Sequence, residues 1–194
     1  MATQVFPTVN VDKLYVAKIQ ENSKGIESFD TPRYLPGVRS IGLKISINSE
    51  PFYAEGVKWD SDESFESVEA EIDIVDITAE DEAYILGHEL AEGGGVIYNE
   101  NDKAPEIAML FRAKKSNKKF RYMTLFRGKF IDSDEDYQQK EGKANFQTRK
   151  LVGTFAPLKS NGMWKHKKDE EEGATDSWFT SVTIPTKNDS NLSE

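Results

Sequence analysis

Apolar and polar residues alternate strictly from Val68 to Ile74. Val68, Ala70, Ile72 and Ile74 fall on one side, and Glu69, Glu71 and Asp73 on the other. A period of two predicts a strand with one dry face and one acidic face. After Asp76 the period lengthens. Thr78 stands where a helix N-cap belongs, with Asp81 three residues on in the capping-box position. Ala79, Ala83, Leu86 and Leu90 then recur at helical spacing as one apolar stripe. Glu80, Asp81 and Glu82 crowd the first turn, where the helix dipole favours negative charge. Gly87, then Gly93, Gly94 and Gly95, supply stop signals. The pattern predicts one acidic strand feeding one short helix, the only substantial helix in the chain.

Elsewhere the period-two signal dominates. Ile41, Leu43, Ile45 and Ile47 alternate with Gly42, Lys44, Ser46 and Asn48, and Asn48-Ser49-Glu50-Pro51 reads as the turn that ends this strand. Residues 11–19 predict a strand of mixed faces, and residues 20–33 a loop broken by Gly25 and Pro32. Residues 107–113 and 119–127 are the apolar arms of a hairpin. Its tip carries Lys114, Lys115, Lys118 and Lys119, predicted to keep the strand ends solvated or, in a functional version, to meet an acidic surface on a neighbour. Further strands are predicted over 145–155, from Gly162 onward, and through Trp178, Phe179, Val182 and Ile184, before a polar tail from Pro185 that composition marks as disordered. The run Lys165 to Lys168 abuts Asp169 to Glu172, which predicts a solvated turn. The sum is about seven to nine strands and one helix. That predicts a mainly β fold, a mostly antiparallel β-sandwich or barrel with one short α-helix packed on it. The expected organisation is an N-terminal arm over 1–10, the β domain over 11–165, and a C-terminal arm and tail over 166–194.

One stretch departs from these patterns. Phe52, Tyr53 and Trp59 sit in a segment of weak period beside a run of acids, which predicts an extended loop over about 49–64. Such a loop either folds over its own core or serves as an arm whose aromatics bury against another subunit.

Charge and composition narrow the chemistry. A net charge of −9 over 194 residues argues against nucleic-acid binding through a basic surface. With no cysteine there is no disulfide, thiolate nucleophile or Cys-based zinc site. Gly93 to Gly95 are followed by no Lys-Ser or Lys-Thr pair, so they read as a flexible turn rather than a phosphate loop. Asp132, Asp134 and Asp136 have the spacing that opens a calcium loop, but no glycine stands at the sixth position and Lys143 occupies the twelfth. The two histidines are His88, placed to meet the last helix carbonyls, and His166, set among lysines. They give a catalytic triad or transition-metal site little to build on. No cofactor, metal or enzymatic activity is expected, and a glycosidase built on an acidic pair ranks third among the readings. The N-terminal stretch has no long apolar run, so no signal peptide or membrane span is expected.

Four pieces taken in order carry a family resemblance: residues 13–19, 68–89, 104–130 and 134–155. The most specific signals are Leu86-Gly87-His88 after the acidic strand, Phe146-Gln147-Thr148, and Gly153-Thr154-Phe155. In these the chain resembles the major tail protein, the tail-tube subunit, of long-tailed phages and prophages of Gram-positive bacteria. The resemblance implies a structural virion protein that self-assembles into hexameric rings. The rings stack into the tube through which phage DNA passes without specific binding. It implies tape-measure and tail-terminator proteins as partners, assembly in the host cytoplasm and a final place in the virion tail. The loop over 49–64, with Phe52, Tyr53 and Trp59, matches by position the segment that bridges subunits in this family. Glu69, Glu71 and Asp73 are candidates for the lumen, where an acidic wall would repel the polyanion and keep it moving. A monomeric β-sandwich binding module for carbohydrate or protein, with the aromatics of 51–59 as its platform, is the alternative.

Overall fold

The computed structural model describes residues 5–21, 27–132 and 147–186. In chain order the elements are β1 (Thr8–Glu21), β2 (Glu27–Phe29), β3 (Arg33–Leu35), β4 (Val38–Ala54), β5 (Val57–Ile74), α1 (Ala79–Leu86), β6 (Glu89–Leu90), β7 (Val96–Ile97), β8 (Ile107–Lys115), β9 (Phe120–Ile131), β10 (Arg149–Ala156) and β11 (Lys165–Asp169). The alternation at 68–74 is the centre of the molecule: Val68, Ala70, Ile72 and Ile74 are all buried on one face of β5.

The main sheet runs β2-β1-β8-β9-β10-β5-β4, with β3 added to β1 and β11 added to β9. Pairing is antiparallel throughout. Side chains from distant parts of this sheet share one core. Leu14 and Val16 of β1 and Met109 and Phe111 of β8 meet Ile72 of β5 and Leu151 and Phe155 of β10. The sheet therefore curls back on itself, and Ile85 and Leu86 of α1 join the same core. This is the mainly β, mostly antiparallel fold with one short helix that the alternation predicts.

Two glycines make room for aromatic rings where β9 meets β10. Gly128 stands opposite Phe155, and Gly153 opposite Phe130. A Cβ on Gly128 would come within 2.4 Å of the Phe155 ring, and one on Gly153 within 2.9 Å of Phe130. Each aromatic ring thus lies across the glycine of the neighbouring strand, and the two rings meet edge-on at 5.8 Å. That gives Gly153-Thr154-Phe155 a packing role.

The helix has the predicted ends but a different buried face. The Thr78 hydroxyl accepts from the Asp81 backbone N–H at 3.2 Å. Gly87 closes the helix in the left-handed region at φ +80°, donating to the Ala83 carbonyl at 3.1 Å. The helix stops at Leu86, so Leu90 falls on β6 and is exposed. The buried positions are Asp81, Glu82, Ile85 and Leu86, rotated from the expected stripe of Ala79, Ala83, Leu86 and Leu90. Cations supplied by other strands account for the difference. Arg33 Nε lies 2.6 Å from the Asp81 carboxylate, and Arg149 Nη1 donates to Glu82 at 3.0 Å.

Three boundaries move. Residues 8–10 belong to β1 rather than to a free arm, and the stretch 27–35 contributes two short strands to the sheet edge instead of an uninterrupted loop. At the other end, β11 begins at Lys165 and pairs with β9, so residues 165–169 are part of the main sheet and not a solvated turn. Downstream, Trp178 and Phe179 lie in a short 3₁₀ turn (Asp176–Phe179) rather than a strand, and Ala174 and Phe179 pack with Leu110 and Tyr122 in a second small core. Asp134, Asp136 and Lys143 of the calcium-like spacing, Phe146, and the tail residues 187–194 lie outside the described residues.

Candidate functional site

The expected turn at Asn48-Ser49-Glu50-Pro51 is instead continuous strand. β4 and β5 stay paired to Ala54 and Val57, and the chain reverses at Glu55-Gly56. Both turn residues have positive φ, +53° and +79°, the geometry of a primed two-residue hairpin turn whose twist matches its strands. Pro51 is tolerated because β4 is the last strand on the sheet path, where a missing N–H breaks no ladder.

β10 accompanies β5 only from Val68 to Ile74. Beyond that, Ile47 to Ala54 and Val57 to Phe65 pair with each other alone. At about 3.3 Å per residue the pair reaches roughly 25 Å past the body. Two bulges shape it. Ser46 faces Ser67 while Ile47 faces Phe65, and Phe52 faces Asp60 while Tyr53 faces Lys58. Glu66 and Trp59 are therefore the extra residues, and such insertions bend the strand and re-aim side chains.

Among its charged and polar residues the arm holds large apolar side chains in the open. Ile47, Phe52, Tyr53, Val57 and Trp59 are 59%, 62%, 64%, 57% and 68% exposed. These aromatics do not fold over the chain's own core, which overturns that reading of the segment. A two-stranded ribbon alone is marginal in water, and clustered exposed apolar side chains mark a surface that something covers. In addition, β4 pairs with β5 and with no other described strand. Its outer edge offers a long row of backbone donors and acceptors to another strand.

The acidic face of β5 is formed as alternation requires, but it is not bare. Lys44 of β4 lies 3.2 Å from Glu69 and also contacts Glu71, and Arg39 lies 3.2 Å from Asp73. Hydrogen bonding to Lys44 holds the Glu71 carboxyl below its usual range and raises the Lys44 ammonium. The face is a ladder of paired charges instead of an unopposed acidic wall.

The hairpin tip divides its lysines. Lys118 and Lys119 are exposed and Lys114 is half-buried. Lys115 is buried, its ammonium 2.8 Å from Asp169 and 3.1 Å from Glu171. The acidic surface facing the tip thus comes from this chain's own acidic run, which begins with Asp169 at the end of β11. Arg121, bidentate to Asp169, is the first cause holding that carboxyl well below the usual range, with Lys115 adding to it.

Two clusters escaped the sequence reading. Arg112 grips Asp12 through Nε at 2.7 Å and Nη2 at 3.0 Å, and reaches Asp176 at 2.6 Å. This clamps the segment after β11 to β1 and β8. Near the helix, Glu82 receives both Arg149 and the Tyr98 hydroxyl. Burial opposes ionisation of Glu82, yet those donors hold its carboxyl below the ordinary value. His88 does not meet the last helix carbonyls as expected but lies between Asp102 and Asp132. His166 sits on β11 against Trp178, ring centres 4.8 Å apart. Partners in these clusters are 14 to 100 residues apart, a separation that no local motif records.

Among the described residues no cluster of three or more His, Asp or Glu side chains has the geometry to hold a metal ion, and no helix is long and apolar enough to cross a membrane. The chain matches no model of a known protein family, and no curated protein sequence matches it.

Proposed function

We propose that this chain is a self-assembling structural subunit, the tail-tube subunit of a long-tailed phage, whose copies close into rings and stack into a tube. The observation that carries the reading is the projecting β4–β5 arm, with exposed Phe52, Tyr53, Val57 and Trp59 on a ribbon that no other described strand covers. The outer edge of β4, unpaired among the described residues, adds to it, because closing a ring of subunits removes an edge that would otherwise aggregate. In such a tube the arm bridges neighbouring subunits. The β5 face with Glu69, Glu71 and Asp73 lines the bore, where Lys44 and Arg39 are tied to carboxylates and not left to catch phosphates. Tape-measure and terminator proteins are the further partners this role entails, and the virion tail is its location.

The monomeric module is the weaker reading on geometry. Consecutive strand residues point to opposite faces, so Phe52 and Tyr53 cannot share one flat platform for a sugar. The chain lacks cysteine, which makes a direct test simple. A single thiol at Ser49→Cys on the exposed arm reacts fast with maleimide in dilute protein and becomes protected as particles form. Particles that leave this thiol fully reactive would remove the arm from the interface, and a protein that forms no particles with or without a nucleating tail component would end the subunit reading.

A further inference from the structure

His88 follows the helix C-cap, with its side chain 4% exposed. Its Nδ1 lies 2.6 Å from Asp102 Oδ2 and its Nε2 lies 3.2 Å from Asp132 Oδ1. A neutral imidazole has one N–H and one lone pair. It satisfies one carboxylate and turns a lone pair on the other. The imidazolium donates to both.

The groups around the ring come from four elements. Helix α1 presents Glu82, itself bound to Arg149 at the start of β10. The segment between β7 and β8 presents Asp102 and the Tyr98 ring, 4.4 Å away, whose hydroxyl is turned to Glu82. Asp132 follows the end of β9, and Glu89, next in the chain, is exposed.

We propose that His88 is a protonation-controlled clasp that, as the imidazolium, ties the β7–β8 segment through Asp102 to the end of β9 through Asp132, and that on losing its proton keeps Asp102 and lets Asp132 go. The two carboxylates differ in the way this order requires. Asp102 is the closer, is 14% exposed, and also accepts the Asn99 backbone N–H at 2.9 Å. Asp132 is 58% exposed and has water to turn to.

The sign follows from the surroundings. Burial disfavours the charged ring, but Asp102 and Asp132 outweigh it and raise its proton affinity above the ordinary 6.5. The clasp is thus complete below that ordinary value and opens as pH rises through the raised one. It opens on the alkaline side, whereas a buried histidine without carboxylates opens on protonation. The device belongs to the single chain and operates with or without assembly.

Nitrogen-15 NMR of the imidazole rings in the wild-type protein tests this directly. Expected are two protonated ring nitrogens for His88 at pH 6.5 and a midpoint above 6.5, while His166 titrates lower because burial disfavours its charge. The Asp132 carboxyl carbon shift should move with the His88 midpoint. Asp132→Asn, a change at an exposed side chain that leaves the fold intact, should lower that midpoint, and His88→Gln should abolish the linked movement of Asp132. A single neutral tautomer at pH 6.5, a midpoint at or below 6.5, or a midpoint unmoved by Asp132→Asn would each overturn the proposal.

Discussion

Replacing Phe52, Tyr53 and Trp59 together by serine should separate folding from assembly. The three side chains are 62%, 64% and 68% exposed in the single chain. Full burial of an aromatic side chain covers about 150–250 Å², so each has on the order of 100–170 Å² left to lose. At about 25 cal/mol per Å² that is at most ~2.5–4 kcal/mol each. Ordering the arm and losing free motion take back part of this, and about 2 kcal/mol per anchor, typical of an interface hot spot, is the working value. One anchor is then worth about 30-fold in association constant, and three compound because every subunit repeats the contact. Folding has little at stake, since exposed substitutions shift stability by about 0.5 kcal/mol or less. Sedimentation velocity across a concentration series, paired with urea unfolding of the same samples, reads both quantities. The expected result is an unchanged unfolding midpoint and no particles at concentrations where the wild type assembles. A triple variant that assembles like the wild type would refute the reasoning, as would one that loses its fold.

Other expectations follow from the ion pairs. Glu82→Ala removes the buried carboxylate that holds Arg149 and Tyr98 and should cost about 3 kcal/mol in urea unfolding, whereas Glu80→Ala, on the exposed side of the same helix, should cost less than about 1 kcal/mol. Asp169 is held below its ordinary 3.8 by Arg121 and Lys115. Its stabilisation is therefore present above 3.8 and lost as pH falls below it, and a pH series of thermal unfolding should show Asp169→Asn flattening that acid limb. Reversing Glu69, Glu71 and Asp73 to lysine should leave rings forming but slow DNA release from the assembled tail, most strongly at low salt, and unchanged infectivity would remove this face from the bore.

The core of the fold was legible where the pattern is local. The period-two run at Val68 to Ile74, the Thr78 cap and the Gly87 stop each act within a few residues, and the structure places all of them as the chain implies. The arm is hidden from a local pattern because Asn48 to Pro51 carries turn-forming residues, while the actual reversal, Glu55-Gly56, lacks the usual Asn or Asp before its glycine. The bulge at Trp59 also breaks the alternation that would have revealed a strand. The buried helix face is hidden for a different reason. Asp81 and Glu82 look like solvated dipole partners until Arg33 and Arg149, 48 and 67 residues away in the chain, arrive beside them. The same holds for Lys115, whose burial depends on Asp169 folding back across the hairpin tip. Charges paired across long sequence distances read as surface in any local pattern.

On the proposed function, this chain closes on copies of itself through an arm whose apolar side chains the described residues leave exposed. Negative-stain electron microscopy of the purified protein at high concentration, with light scattering on the same sample, tests it most directly. Rings or hollow tubes whose mass grows with concentration are expected. A protein that stays monomeric at every concentration, even when offered preformed tail tips as nuclei, would contradict it.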